Sequence, residues 1–401
     1  MRRRTFALLA TLGSLAACAA PGAVGRPPFS PGLQPFPGSQ ASAGHRIGIL
    51  LPLTGQNAGL GQDLLKAAQL ALGDNGPALD PHDTASTPEG AATAARAALA
   101  AQDEIILGPL TNAETAAAAG AANGTPMLAF TSDATKARPG VWTLGITAEQ
   151  QVRRLVEANR AEGKSHFAAV LLDNPFGGAL ADALTHTAAD AGDPPPAIRR
   201  YAGGFANANA ALRDLSDYAN RRGGIDARIK EARARGDADG RREAADIARE
   251  PVGPAPFDAL LITDPGLGPL LPGYDIAPPA VRVLGPAIWA RDASNLGALS
   301  GAWYAAPDPA LRGPFEQAFS AKYGHTPPAQ ADAAFDAASI ARVLLSQGGS
   351  LTRPEGFAGV EGVFALRPDG HVRRGLAIFE IGPGGAHIVV PAAAAFQPSS
   401  S

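Results

Sequence analysis

From Arg46 onward, short uninterrupted apolar runs alternate with stretches in which apolar residues recur every three or four positions. The first pattern marks strands buried on both faces, and the second marks helices with one buried stripe. Strands are expected over 46–53, 104–107, 126–130 and 141–145, with helices over 62–72, 88–102, from Asn112, and over 149–161. Such regular alternation predicts an α/β fold, a parallel sheet covered by helices on both faces. A second series follows, with strands over 168–172, 198–201 and 258–263 and a helix over 179–191, so two lobes are expected. Past Val281 the alternation resumes with a strand over 281–284, helices over 314–323 and 329–345, and β-like segments over 362–366 and 376–381.

Two segments break the pattern. Residues 19–44 are rich in proline and glycine and have neither period, which reads as a linker able to extend about 3 Å per residue. Residues 207–250 interleave arginines with acids, which predicts a solvated helical hairpin interrupted near Gly223-Gly224 and at Gly236. That arm is a candidate protein-docking surface. The expected division is lobe 1 from 45–147 and 285–350, lobe 2 from 148–284 and 351–392, and a tail over 393–401.

Composition narrows the chemistry. The 401 residues contain one cysteine, Cys18, directly after Leu15-Ala16-Ala17. Before it stand a basic start, Arg2, Arg3 and Arg4, and an apolar stretch over 6–15 too short to span a bilayer. This is the pattern of a lipoprotein signal peptide over 1–17, cut so that Cys18 carries the lipid and is the only membrane attachment. Ala19 after the cysteine resembles the arrangement of outer-membrane lipoproteins, which places the body in the periplasm. Arg3-Arg4-Thr5-Phe6 weakly resembles a twin-arginine signal, which bears only on the export route. The formal net charge is −3, so loss of the three leader arginines leaves −6 and no basic field for nucleic acid. No thiol remains for a disulfide, a metal or a nucleophile.

Candidate chemistry gathers at the ends of strands, where open α/β sheets bind ligands. Thr111 and Glu114 stand at capping-box spacing after Gly108-Pro109-Leu110, so Thr111 either caps a helix or meets a ligand. Phe130-Thr131-Ser132-Asp133 is a second polar strand end. Gly59-Leu60-Gly61 lacks both the third glycine of a dinucleotide site and the Gly-Lys-Ser/Thr of a P-loop, and reads as a close turn into a helix. The histidines are scattered, and Asp80, His82 and Asp83 read as a polar turn. No cofactor, metal site or catalytic constellation is expected, and the protein is read as non-enzymatic.

Seven short motifs in order resemble the leucine-binding branch of the type I periplasmic binding proteins: Ile-Leu-Leu-Pro-Leu-Thr-Gly (49–55), Leu-Gly-Pro-Leu (107–110), Pro-Met-Leu-Ala-Phe (126–130), Asp-Asn-Pro-Phe-Gly (173–177), Gly-Ala-Trp-Tyr-Ala-Ala-Pro-Asp (301–308), Phe-Ala-Gly-Val-Glu-Gly (357–362) and Arg-Pro-Asp-Gly (367–370). Within that branch the chain is most similar to penicillin-binding protein activators. The resemblance implies two Rossmann-like lobes joined by a hinge and a cleft that holds a small polar ligand. Its cleft residues would be Thr111, Asn112, Thr131, Ser132, Asp133, Phe176 and Asp264. It also implies a partner, either a cell-wall synthase of the penicillin-binding type or an ABC permease. In amino-acid-binding members an acid follows the Gly-Pro of the later strand, whereas here Gly285-Pro286 precedes Ala287, Ile288 and Trp289. Replacing Cys18→Ala is expected to release the protein from membranes into the soluble periplasmic fraction with its body folded; continued partition with membranes would refute the lipid anchor.

Overall fold

The computed structural model describes residues 44–396; the expected signal peptide, Cys18 and, Gly44 apart, the expected linker lie outside the described residues, as do the residues beyond Phe396. Lobe 1 begins with β1 (Arg46–Leu51), α1 (Ala58–Leu72), β2 (Ala78–Asp83), α2 (Pro88–Ala100), β3 (Ile105–Leu107), α3 (Asn112–Ala121), β4 (Met127–Ala129) and β5 (Val141–Thr143). The five strands form one parallel sheet in the order β2-β1-β3-β4-β5. Side chains alternate across it: Ile47, Ile49 and Leu51 face α1, while Leu50, Ile106 and Met127 face α2 and α3. The expected polar turn at Asp80, His82 and Asp83 is instead the edge strand β2. Its Ala-Leu-Asp-Pro-His-Asp sequence lacks an apolar run because one side of it meets solvent.

The chain then enters lobe 2 with α4 (Ala148–Ala161), β6 (Phe167–Leu172), α5 (Pro175–Asp190), β7 (Ala197–Tyr201), α6 (Phe205–Leu215), α7 (Tyr218–Ala234), α8 (Ala238–Ile247), β8 (Ala259–Ile262), β9 (Arg282–Gly285) and β10 (Trp303–Ala306). It returns to lobe 1 for α9 (Pro309–Tyr323), α10 (Ala331–Gln347) and a small antiparallel sheet of β11 (Phe357–Gly359), β12 (Gly362–Leu366) and β13 (Val372–Arg374). Finally β14 (Ala377–Gly382) and β15 (Gly385–Val390) complete the lobe 2 sheet, ordered β15-β14-β10-β9-β8-β6-β7. Helices α4 and α5 cover one face of that sheet, and α6 with the 3-10 helix Pro265–Tyr274 covers the other.

These pairings move the expected division. β10 lies between β9 and β14, so 285–306 belongs to lobe 2 and the chain crosses back only after Ala306. Residues 357–374 pack with α10 and β1 in the lobe 1 core. Residues 393–396 are no loose tail, because Phe396 is buried against Val363 and Ala365. In the arm, α6 is a core helix through Ala208, Leu212 and Leu215, and the hairpin proper is α7 with α8. The helix runs through Gly223-Gly224, where the backbone does not need glycine, and breaks at Gly236, whose φ is +72°.

Helices α1 and α5, each following the first strand of its lobe, lie unusually close to that strand. A Cβ on Gly61 would sit 2.1 Å from the Pro52 carbonyl oxygen, and one on Gly177 would sit 1.9 Å from that of Leu172. Only glycine allows these approaches. A Cβ on Gly59, by contrast, meets nothing within 4 Å, so of that pair it is Gly61 that sets the turn.

A buried charge group locks the small sheet onto lobe 1. Asp332 and Asp336, one turn apart on α10, face β11 to β13. Asp332 accepts from Arg312 Nε at 2.7 Å, and Asp336 accepts from the Val360 N–H at 2.8 Å. A Cβ on Gly359 would stand 2.4 Å from Asp336 Oδ2, so this contact too requires glycine. Burial, opposed by Arg374, pushes Asp336 up to about 8; burial, opposed by the Arg312 hydrogen bond, pushes Asp332 up to about 6. The unfolded chain releases these protons near pH 4, the folded chain later. Their contribution is therefore full below about pH 4 and is lost as pH climbs through about 6 and 8. The melting temperature is expected to fall by about 4–8 °C between pH 5 and 8, and Asp336→Asn, which cannot ionise, should remove most of that slope. Equal slopes for the two proteins in thermal melts would refute this role for Asp336.

Candidate functional site

In each lobe the polar loops follow the C-terminal ends of the parallel strands, where open α/β sheets bind ligands. In lobe 1 the loop after β1 is pinned by Asp83: its Oδ1 accepts from the N–H groups of Leu53 (2.9 Å), Thr54 (3.1 Å) and Ala85 (2.8 Å), and its Oδ2 accepts from the Thr54 hydroxyl (2.6 Å). Partial burial would raise this acid, but the Thr54 hydroxyl and the three N–H groups hold it below the usual carboxylate range. Asp83 is thus a brace for the loop, a role hidden from the sequence because its partners lie about thirty residues away.

The loops after β3 and β4 are joined to each other. Thr111 caps α3 in a complete capping box, accepting from the Glu114 N–H at 3.3 Å while Glu114 accepts from the Thr111 N–H at 3.0 Å. Glu114 is itself buried and accepts from the Thr84 hydroxyl at 2.6 Å. The Thr131 hydroxyl donates to Asn112 Oδ1 and accepts from the Asp133 N–H at 3.1 Å. Asp133 spends its carboxylate on its own turn, accepting from Thr135. Ser132 and Asn112 are exposed, and of the two only Ser132 makes no side-chain hydrogen bond among the described residues. Gly145, on the way to lobe 2, sits so close that a Cβ there would be 2.7 Å from the Ser132 nitrogen.

In lobe 2, Phe176 follows β6 and is 42% exposed, while Asp264 follows β8 and caps its own 3-10 helix through the Gly266 N–H at 2.8 Å. Burial first, and then the Asp264 charge, push the Tyr201 hydroxyl up to about 12. Phe205 after β7 and Ile288 after β9 are also exposed, at 70% and 56%. Three of the large exposed apolar residues thus stand on one rim. Trp289 is buried beneath Gly285, whose Cβ would lie 2.3 Å from the indole, and this turns the preceding Ile288 outward.

Lobe 1 therefore gathers Thr111, Asn112, Thr131, Ser132 and Asp133, and lobe 2 sets Phe176 and Asp264 at neighbouring strand ends. No hydrogen bond or ion pair joins the two sets among the described residues. Elsewhere, Asp80, His82 and Asp103 place ligand atoms within 4.8 Å of one another. Arg46 contacts both Asp80 and Asp103, so the positive charge that such a cluster calls for is supplied by the chain itself. No helix among the described residues is long and apolar enough to cross a membrane.

Two parallel-rich sheets flanked by helices, with the chain passing between them more than once, match the two-lobed type I periplasmic binding protein fold. Residues 45–217 match the family model described as periplasmic binding protein. None of the curated proteins matches the sequence. Among solved structures, the chain is similar to a protein described as a branched-chain amino acid ABC transporter from Rhodospirillum rubrum, with 20% identity, TM-score 0.63, and 86% of this chain and 99% of that one covered. It is similar also to the C-domain of LpoA from Haemophilus influenzae, a regulator of PBP1A, with 15% identity, TM-score 0.60, and 86% and 100% covered. Against full-length LpoA the identity is 16% and the TM-score 0.60, and the match spans 87% of this chain and 59% of that one.

The hydrogen-bond assignments separate two hydroxyls that the sequence places side by side. Thr131→Val strands Asn112 Oδ1 and the Asp133 N–H and is expected to cost about 1–3 kcal/mol of stability. Ser132→Ala should change stability by less than about 0.5 kcal/mol. Urea denaturation of both variants checks this; similar costs at the two positions would refute the assignment.

Proposed function

We propose that the protein is a periplasmic, lipid-anchored regulator that acts by contacting a cell-wall synthase of the penicillin-binding type, and that it is not an enzyme. The observation that carries this reading is the state of the cleft. Thr111, Asn112, Thr131, Asp133 and Asp264 are committed to caps and turns of their own lobes. Ile288 is exposed next to the position where an acid would meet an amino-acid ammonium. A cleft built this way offers no free charged pair to clamp a zwitterion. Likeness in fold to the LpoA C-domain supports the same reading. The lipid at Cys18 and the long linker would give the body reach, and the α7–α8 hairpin would offer it a surface.

Import is the second reading. The exposed Ser132 hydroxyl in lobe 1 and the exposed Phe176, Phe205 and Ile288 in lobe 2 would together suit a small ligand with an aliphatic part, and the chain is also similar in fold to the Rhodospirillum rubrum transporter protein. In that case the protein would be the solute-binding subunit of an ABC transporter for branched-chain or related amino acids.

In-cell photocrosslinking from the exposed hairpin positions Lys230, Arg233 and Arg242 is expected to recover a penicillin-binding synthase. The triple substitution Lys230→Glu, Arg233→Glu, Arg242→Glu should reduce that capture about tenfold without lowering the melting temperature, since all three are solvent-exposed. Recovery of permease subunits with no synthase, together with calorimetric binding of leucine that Ser132→Ala weakens, would overturn the regulatory reading in favour of import.

A further inference from the structure

A cavity of about 420 Å³ lies at the hinge, apart from the strand-end loops. Helix α4 of lobe 2 forms one wall, the turn between β12 and β13 of lobe 1 forms another, and the segment 391–396 runs along its margin. Its size falls in the range of small-molecule sites, roughly 300–1,000 Å³. Glu149 on α4 and His371 on the turn meet at 2.9 Å, so the cavity touches both lobes.

Cationic side chains dominate its lining, but they are not equivalent. Arg153 is paired with Glu149 at 3.2 Å and Asp190 at 3.6 Å, and Arg367 with Asp369 at 3.2 Å. Arg154 and Arg373 have no carboxylate within ion-pair distance among the described residues. Arg154 is held by neutral groups only, its Nε donating to the Leu376 carbonyl at 2.8 Å and its Nη2 to that of Pro391 at 3.2 Å. Its third nitrogen, Nη1, makes no hydrogen bond among the described residues. Burial pushes this guanidinium below its ordinary value, with the Glu157 charge acting the other way. Arg373 lies over the Phe396 ring at 4.5 Å from the centroid and is otherwise unengaged among the described residues.

Five arginines and two glutamates, Glu149 and Glu157, line the cavity, and two of the guanidinium groups have no ion-pair partner among the described residues, so positive charge is in excess there. Planar guanidinium groups take carboxylate or phosphate oxygens in pairs. We infer that the hinge cavity is a binding site for a small organic anion, with its carboxylate or phosphate group taken by Arg154 and Arg373 and its body resting against Pro391 and Ala393. The site is independent of the cleft, because none of the strand-end residues lines it.

Isothermal titration of the full chain with citrate and with inorganic phosphate, at low ionic strength, tests this. One-to-one saturable binding of either anion is expected, citrate alone pointing to carboxylate ligands and phosphate alone to phosphorylated ones. Arg373→Gln, an exposed position that should leave the fold intact, is expected to weaken binding about tenfold or more. Arg154→Gln should do at least as much, and Arg154→Lys should retain part of the affinity. Ser132→Ala in the cleft should leave it unchanged. No saturable binding at millimolar anion, or binding that ignores both arginine substitutions, would overturn the inference. So would binding that only Ser132→Ala weakens.

Discussion

Arg374 joins two of the strands that pass between the lobes. It stands at the end of β13, just before the chain crosses into lobe 2 for the last time, and its Nη2 donates to the carbonyl of Leu144 on the first crossing. The same guanidinium faces Glu361 at 3.3 Å, in a side chain only 1% exposed. The charge cannot be hydrated there, so it is balanced by Glu361 and by the field of the α10 acids where these are ionised. The hinge thus depends on one buried cation whose partners come from three separate stretches of chain. The raised acids Asp332 and Asp336 belong to the same group, which is why the attachment of the small sheet and the alignment of the crossings share a dependence on protonation.

How much of this can be read from the residues alone follows from how local each interaction is. Strands such as β1, β6 and β8 are buried on both faces and so are continuous apolar runs that no other element imitates. The capping box at Thr111 is a contact within four residues, and its spacing is visible directly. β2 is hidden because an edge strand needs no apolar run, and the membership of β10 is hidden because it is decided by pairing with β14, more than seventy residues on. The same limit applies at the candidate site. The loops can be located from glycine, proline and hydroxyl residues, but which hydroxyl is committed and which is free is settled by partners in other loops. Thr131 bonds to Asn112 across nineteen positions, and its neighbour Ser132 bonds to nothing described.

The strand-end loops of the two lobes differ in chemical character. Lobe 1 presents hydroxyl and amide groups that largely satisfy one another, while lobe 2 presents Phe176, Phe205 and Ile288 to solvent. Apolar side chains grouped on a rim favour contact with something that excludes water. A ligand's body and a partner's surface both meet that requirement, which is why these loops fit either functional reading. At the hinge, guanidinium groups outnumber carboxylates, and Val372, Pro391, Ala393 and Phe396 add apolar lining beside them.

The α7–α8 hairpin has a small interior of its own, built from Ile225, Ile229, Ala232, Ala244 and Ile247 with Val252 against it. Its fastening to the rest of lobe 2 is concentrated at the base, where Arg221 donates to the carbonyls of Gly253 and Tyr274 and the rings of Tyr218 and Tyr274 meet edge to face. So little shared surface makes the hairpin a separate cooperative unit, one that can open and reclose while both sheets stay intact. Amide hydrogens along α7 and α8 will then exchange at a rate set by five small side chains, and a sequence can rewrite the outer face of that hairpin over evolutionary time without disturbing the lobes beneath it.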